Sequence, residues 1–122
     1  MGGINNFQEL KVWQKAHELV LSVYKITENF PKSELFCLTS QMCRAAISVA
    51  ANIVEGFRRR SMKDSLHFYN MASASLEELK YYFILSRDLK YISEIVYQSG
   101  LNLTEEVSKM LNGWIKSQKK FL

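Results

Sequence analysis

Proline and glycine are scarce in this 122-residue chain, which has one proline, Pro31, and five glycines. Long stretches therefore run without a helix breaker. A sandwich of short strands, which needs a turn signal roughly every 8–12 residues, is excluded. Cysteine is scarcer still: Cys37 and Cys43 are too few for a disulfide-dense secreted scaffold. No apolar run approaches the roughly 18–20 residues of a membrane span. The opening Met1-Gly2-Gly3-Ile4-Asn5-Asn6 has neither the basic nor the apolar region of a secretory signal, and Asn6 stands where N-myristoylation wants Ser or Thr. The expectation is a cytoplasmic protein with reduced thiols and no membrane association.

Chemistry-bearing residues are equally sparse. The two histidines, His17 and His67, fall in different segments, and only Asp64-x-x-His67 approaches the Glu-x-x-His motif that di-iron bundles use twice. Cys37 and Cys43 are six residues apart, without the short paired spacing of a zinc site. There is no Gly-rich phosphate loop and no Ser/His/Asp or Cys/His set, and Ser48, Ser73 and Ser75 read as small packing residues. No catalytic residue, metal site or cofactor is expected, and the protein reads as a non-enzyme.

What is present is helical pattern. Hydrophobic residues make up 48% and charged residues 23%, with a net charge of +4, enough apolar content for one domain spanning residues 1–122 to bury a core unaided. Leu10, Trp13, Ala16, Val20, Val23 or Tyr24, Thr27 and Phe30 recur at helical spacing. Asn6 with Glu9 resembles a capping box, and Pro31 ends the segment. A second helix ends at Gly56, which can adopt the left-handed C-terminal conformation. Ser61 with Asp64 starts a third, carrying Leu66, Tyr69, Ala72, Leu76, Leu79 and Phe83 on one stripe. Ser93 caps a fourth through Leu101, Val107, Leu111, Trp114 and Ile115, weakened by Gly100 near its start. Four helices over approximately 7–30, 39–57, 62–89 and 93–120, joined by short loops, predict an all-α, antiparallel up-down-up-down four-helix bundle.

The second helix is unusual. Its polar residues, Gln41, Arg44, Ser48, Asn52 and Glu55, form one narrow stripe, and the rest of its surface is apolar. Either three neighbouring helices cover that surface, or a second apolar face packs against another subunit. Arg44, Asn52 and Glu55 are then expected to line a polar network between helices or subunits.

The run Ser40-Gln41-Met42-Cys43-Arg44-Ala45-Ala46-Ile47-Ser48-Val49-Ala50-Ala51-Asn52-Ile53-Val54-Glu55-Gly56-Phe57-Arg58-Arg59 resembles the signature of the 23S rRNA-intervening-sequence protein family. So do Phe7-Gln8-Glu9-Leu10-Lys11-Val12-Trp13-Gln14-Lys15-Ala16 and Ala72-Ser73-Ala74-Ser75-Leu76-Glu77-Glu78-Leu79. The resemblance extends from Phe7 to about Ser117. It implies a four-helix bundle and, through related proteins, a homopentamer. It also implies likeness to the accessory variability proteins of diversity-generating retroelements, basic oligomers that engage nucleic acid and a reverse transcriptase. Cys43 departs from the family pattern, standing where a second arginine often precedes Arg44, so the stripe carries one positive charge fewer.

In an alternating bundle the charge is unevenly distributed. One end gathers Lys11, Lys15, Arg58, Arg59, Arg60, Lys63, Lys109, Lys116, Lys119 and Lys120 against Glu9, Glu55 and Asp64, a surplus of seven. The opposite end is neutral and the middle carries −3. Cations near helix C-termini are favoured by the macrodipole, which accounts for two or three of them. The remainder predicts a surface for phosphate backbone, with Arg58, Arg59, Arg60, Lys63, Lys116, Lys119 and Lys120 as the contacting residues. The function expected is an oligomeric scaffold that binds RNA or DNA without strong sequence specificity and presents it to a partner enzyme. The alternative is a protein–protein assembly module with no nucleic-acid role.

Overall fold

A computed structural model describes residues 3–122; the readings that involve Met1 and Gly2 lie outside it. The described residues form four α-helices and no strand: α1 (Lys11–Thr27), α2 (Leu38–Arg58), α3 (Met62–Asp88) and α4 (Glu94–Gln118), with 3₁₀ turns at Phe7–Glu9, Lys32–Glu34 and Lys119–Phe121. Each long helix buries residues three or four apart, as Ala16, Leu19, Val23 and Thr27 do in α1 and Tyr69, Ala72, Leu76, Leu79 and Phe83 in α3. These stripes meet in one core.

Every helix packs against the next, and α1 also packs against α4, while α1 and α3, and α2 and α4, are not neighbours. Partner numbers fall along one helix as they rise along the next. Met42, Ser48 and Gly56 of α2 meet Ser86, Ser75 and Tyr69 of α3. Tyr69, Phe83 and Arg87 of α3 meet Trp114, Gly100 and Tyr97 of α4.

The predicted starts of the third and fourth helices are found. Ser61 Oγ accepts the Asp64 N–H at 3.1 Å, and Ser93 Oγ accepts the Val96 N–H at 3.2 Å. The first helix is shorter than expected. Phe7–Glu9 is a 3₁₀ turn, Leu10 is extended (φ −72°, ψ 122°), and α1 begins only at Lys11. Leu10 is 1% exposed, and turning the chain at this point sends its side chain into the core. No capping box forms: the Asn6 amide donates to the Glu9 carboxylate at 2.8 Å, and neither side chain takes a backbone N–H. α1 also stops at Thr27, three residues before Phe30, which packs its ring against Tyr91.

Gly56 is not the left-handed terminator expected of it. It lies inside α2, which continues to Arg58, and a Cβ there would stand 2.5 Å from Tyr69 Cε1 and 3.0 Å from the Ser65 carbonyl oxygen. The missing side chain lets α2 and α3 close on each other. Gly100 does the same for α3 and α4, where a Cβ would lie 2.6 Å from Phe83 Cζ. The left-handed residue is Lys90 (φ 66°), which ends α3 with Tyr91 N–H bonded to Ser86 O at 2.9 Å.

Buried hydroxyls bond backward along their own helices. Ser86 Oγ donates to Tyr82 O at 2.7 Å and Thr104 Oγ1 to Gly100 O at 2.8 Å, so neither burdens the core with an unsatisfied donor. No helix among the described residues is long and apolar enough to cross a membrane.

Candidate nucleic-acid interface

The end of α2, the start of α3 and the last turns of the chain lie together. Residues 59–61 join α2 to α3, and the 3₁₀ turn Lys119–Phe121 packs against α3. Of the seven predicted phosphate contacts, Arg58 and Arg59 sit at the end of α2, Arg60 in the connection and Lys63 in the first turn of α3. Lys116 is in the last turn of α4, and Lys119 and Lys120 follow it. All seven are exposed. Only Arg59 has a carboxylate partner among the described residues: it pairs with Glu55 one turn back and lies 4.4 Å above the Phe68 ring. Lys120 lies 5.1 Å from the Phe121 ring.

Their placement relative to the helix dipoles separates them. Arg58, Arg59, Lys116, Lys119 and Lys120 are at or just past C-termini, where a cation is favoured by about 0.3–1 kcal/mol. Arg60 lies between the C-terminus of α2, which favours it, and the N-terminus of α3, which does not, whereas Lys63 is in the first turn of α3, where the dipole disfavours it. Capping does not account for Lys63.

Lys15, counted with this end by topology, is engaged elsewhere. Its Nζ lies 3.2 Å from Glu18 and 3.3 Å from Glu106 on α4, and these hydrogen bonds raise its pKa above the ordinary lysine value. It ties α1 to α4.

The polar stripe of α2 divides. Ser48 and Asn52 form a network that includes a residue of the next helix. Asn52 Nδ2 donates to Ser48 O and Ser48 Oγ, both at 2.9 Å, and Ser75 Oγ of α3 donates to Ser48 Oγ at 2.8 Å. Ser48 and Ser75 are thus interhelical hydrogen-bonding groups as well as small packing residues. Gln41 and Arg44 are exposed and outside this network, and Glu55 turns to Arg59. The expected network of Arg44, Asn52 and Glu55 is not formed within the chain: of the three only Asn52 is buried, and it bonds to Ser48.

Sequence patterns did not disclose a pocket beside Arg58. About 320 Å³ in volume, it is lined by Asn5, Asn6, Phe7, Val54, Phe57 and Arg58. Phe7 and Phe57 belong to recognisable segments, but no spacing rule joins residues 5–7 to residues 54–58 across two helices. Phe7 meets Trp13 edge-on (5.0 Å, 73°), and Trp13 stacks flat on the exposed imidazole of His17 (5.1 Å, 6°). A second pocket of about 370 Å³ lies between Lys11, Val12 and Trp114, and a larger, apolar one of about 560 Å³ runs past Tyr24, Phe30, Leu35, Phe36 and Cys43 at the other end of α1. Cys43 is half-buried with its sulfur 3.6 Å from Thr27 Oγ1; Cys37 is exposed, and neither is in a disulfide. No group of His, Cys, Asp or Glu that could hold a metal ion occurs among the described residues.

A solved structure of a protein with unknown function from the S23 ribosomal protein family of Bacteroides thetaiotaomicron superposes with a TM-score of 0.80 at 26% identity, covering 86% of this chain and 95% of that one. Among curated proteins, none matches this sequence. The profile of the 23S rRNA-intervening sequence proteins matches residues 8–113, nearly the whole chain, with the α2 signature and the α1 opening inside it. The chain belongs to the 23S rRNA-intervening sequence protein family.

Proposed function

We propose that this chain is a non-enzymatic scaffold, an up-down-up-down bundle that assembles into a homo-oligomer and binds the phosphate backbone of RNA or DNA through its basic end. The falling partner numbers between successive helices support the alternating topology. The observation that carries the binding proposal is the cluster of exposed cations from three converging elements, of which only Arg59 has a carboxylate partner among the described residues. Lys63 is held there against the dipole of α3. Such charges act as point contacts to phosphate and read no sequence. Oligomerisation would repeat the patch and add avidity, and a basic ring of this kind could hand nucleic acid to a reverse transcriptase or another nucleic-acid enzyme.

An assembly module without nucleic acid is the second reading, favoured by one observation. Phe36 is 89% exposed and Leu35 is 53% exposed beside the apolar groove at the neutral end. Salt titration separates the two. Binding of a generic RNA is expected to weaken steeply between ~50 and ~200 mM salt. Replacing Arg58, Arg59 and Arg60 by alanine should lower the slope of log K against log salt by about 2–3, with the oligomeric mass from light scattering unchanged. Absence of RNA and DNA binding by the wild type at low salt refutes the first reading.

A further inference from the structure

We propose that the pocket beside Arg58 receives an unpaired nucleobase of a bound strand, so that the basic end selects single-stranded over double-stranded nucleic acid. The proposal rests on the nucleic-acid reading above and gives it a substrate class. The pocket's lining combines three chemistries that a nucleotide needs together. Phe7 and Phe57 offer aromatic surface for a base, backed by Val54. Asn5 and Asn6, whose side chains carry amide donors and an acceptor each, line the same opening. The Asn5 side chain has no hydrogen-bond partner among the described residues, and Asn6 spends one N–H on Glu9 and keeps its carbonyl oxygen free. Arg58 adds an exposed guanidinium, suited to the phosphate of the same nucleotide.

A base inside a duplex has both faces stacked and its pairing edge occupied, so only an unpaired one can use the pocket. The aromatic floor is also held in place. Phe7 is braced edge-on by Trp13, and Trp13 by the stacked His17, so little ordering is required on binding. Arg60 and Lys63, in the connection and first turn that follow Arg58, extend its run of exposed cations.

The test compares two strands of equal length and charge, an oligothymidylate and its abasic counterpart, by fluorescence anisotropy with the full chain. The thymidylate strand is expected to bind roughly ten-fold or more tightly. Phe7→Leu should erase most of that difference while leaving the abasic affinity unchanged, and so should Asn5→Ala, which alters an exposed residue and leaves the core intact. In a Trp114→Phe background Trp13 is the sole indole, and its emission should be quenched by the thymidylate strand and not by the abasic one. Equal wild-type affinity for the two strands overturns the base pocket and leaves the phosphate-binding reading standing. Failure to bind either strand overturns both. Competition by micromolar free thymidine monophosphate overturns the strand assignment in favour of a free nucleotide.

Discussion

The two sides of α4 differ in how closely they are packed. Toward α3 the helix leans on Phe83 through Gly100, with no room for a methyl group, and α3 is pressed as closely on α2 through Gly56 and Tyr69. Toward α1 the same helix is less closely packed near its C-terminal end. Gly113 has nothing within 4 Å of a would-be Cβ, and it lines a pocket shared with Val12 and Trp114. The three pockets described all touch α1 or the turns at its ends. The contrast assigns two roles: α2, α3 and α4 form a tightly interlocked scaffold, and α1 with its flanking segments supplies concave surface. The proposed base pocket belongs to the second group, on a segment that reaches α2 through Phe7.

The largest effect expected from testing this contrast is at Gly100. Alanine there gains about 1 kcal/mol of helix propensity but forces the Phe83 ring out of its place, and overpacking of this kind costs about 1–3 kcal/mol. Phe83 is fully buried and cannot swing away, so the steric cost exceeds the gain. Gly100→Ala should therefore lower the unfolding free energy, by up to about 2 kcal/mol, in a urea titration. A variant as stable as the wild type would show that the α3–α4 seam gives way easily, and the division between scaffold and flank would fail.

Much of the scaffold was legible because helical spacing reports burial directly. Tyr69, Leu76, Leu79, Phe83 and Leu111 are core as predicted, and Ser61 and Ser93 cap where their spacing says. Gly56 is misread because sequence shows only that a side chain is missing. Whether this frees φ or admits a neighbour depends on Tyr69 lying opposite, which is a tertiary fact. The break at Leu10 was hidden for a related reason: its place in the apolar repeat is the same whether it sits in the helix or turns inward just before it. The cations of the site were legible from topology alone. Lys15 was not, since Glu106 reaches it from α4, and the pocket was not, since its two halves lie some fifty residues apart in sequence.

The opposite sign, and a smaller effect, is expected at Gly113. The same substitution meets no atom there, so only propensity counts. Gly113→Ala should stabilise the fold by about 0.5–1 kcal/mol. Two identical changes on one helix, one at a buried glycine against α3 and one at an exposed glycine beside the Trp114 pocket, then report the packing at the two places separately. If Gly113→Ala destabilises instead, α1 sits closer to α4 than the pocket beside Trp114 implies.

The smallest effect appears only in alkali and compares a phenol from each group. Tyr69 is buried between α2 and α4, and burial raises its pKa above the ordinary value of 10.0, with the Trp114 indole partly opposing the shift. Tyr91 packs on Phe30 beyond α1 and donates to the Glu34 carboxylate at 2.8 Å, which raises its pKa in turn. In both cases the folded state holds the phenolic proton more tightly than the unfolded chain does. The associated stability is therefore fully present below pH 10 and is lost as pH rises past it, because the unfolded phenol ionises first. Tyr69→Phe and Tyr91→Phe should each flatten the decline of melting temperature above about pH 10. Tyr69→Phe should flatten it more, since solvent screens the Tyr91–Glu34 pair at the surface and does not reach the buried ring. The reverse order would mean that the turns around α1 hold their side chains harder than the α2–α3–α4 scaffold, and α1 could no longer be treated as the more yielding side of the bundle.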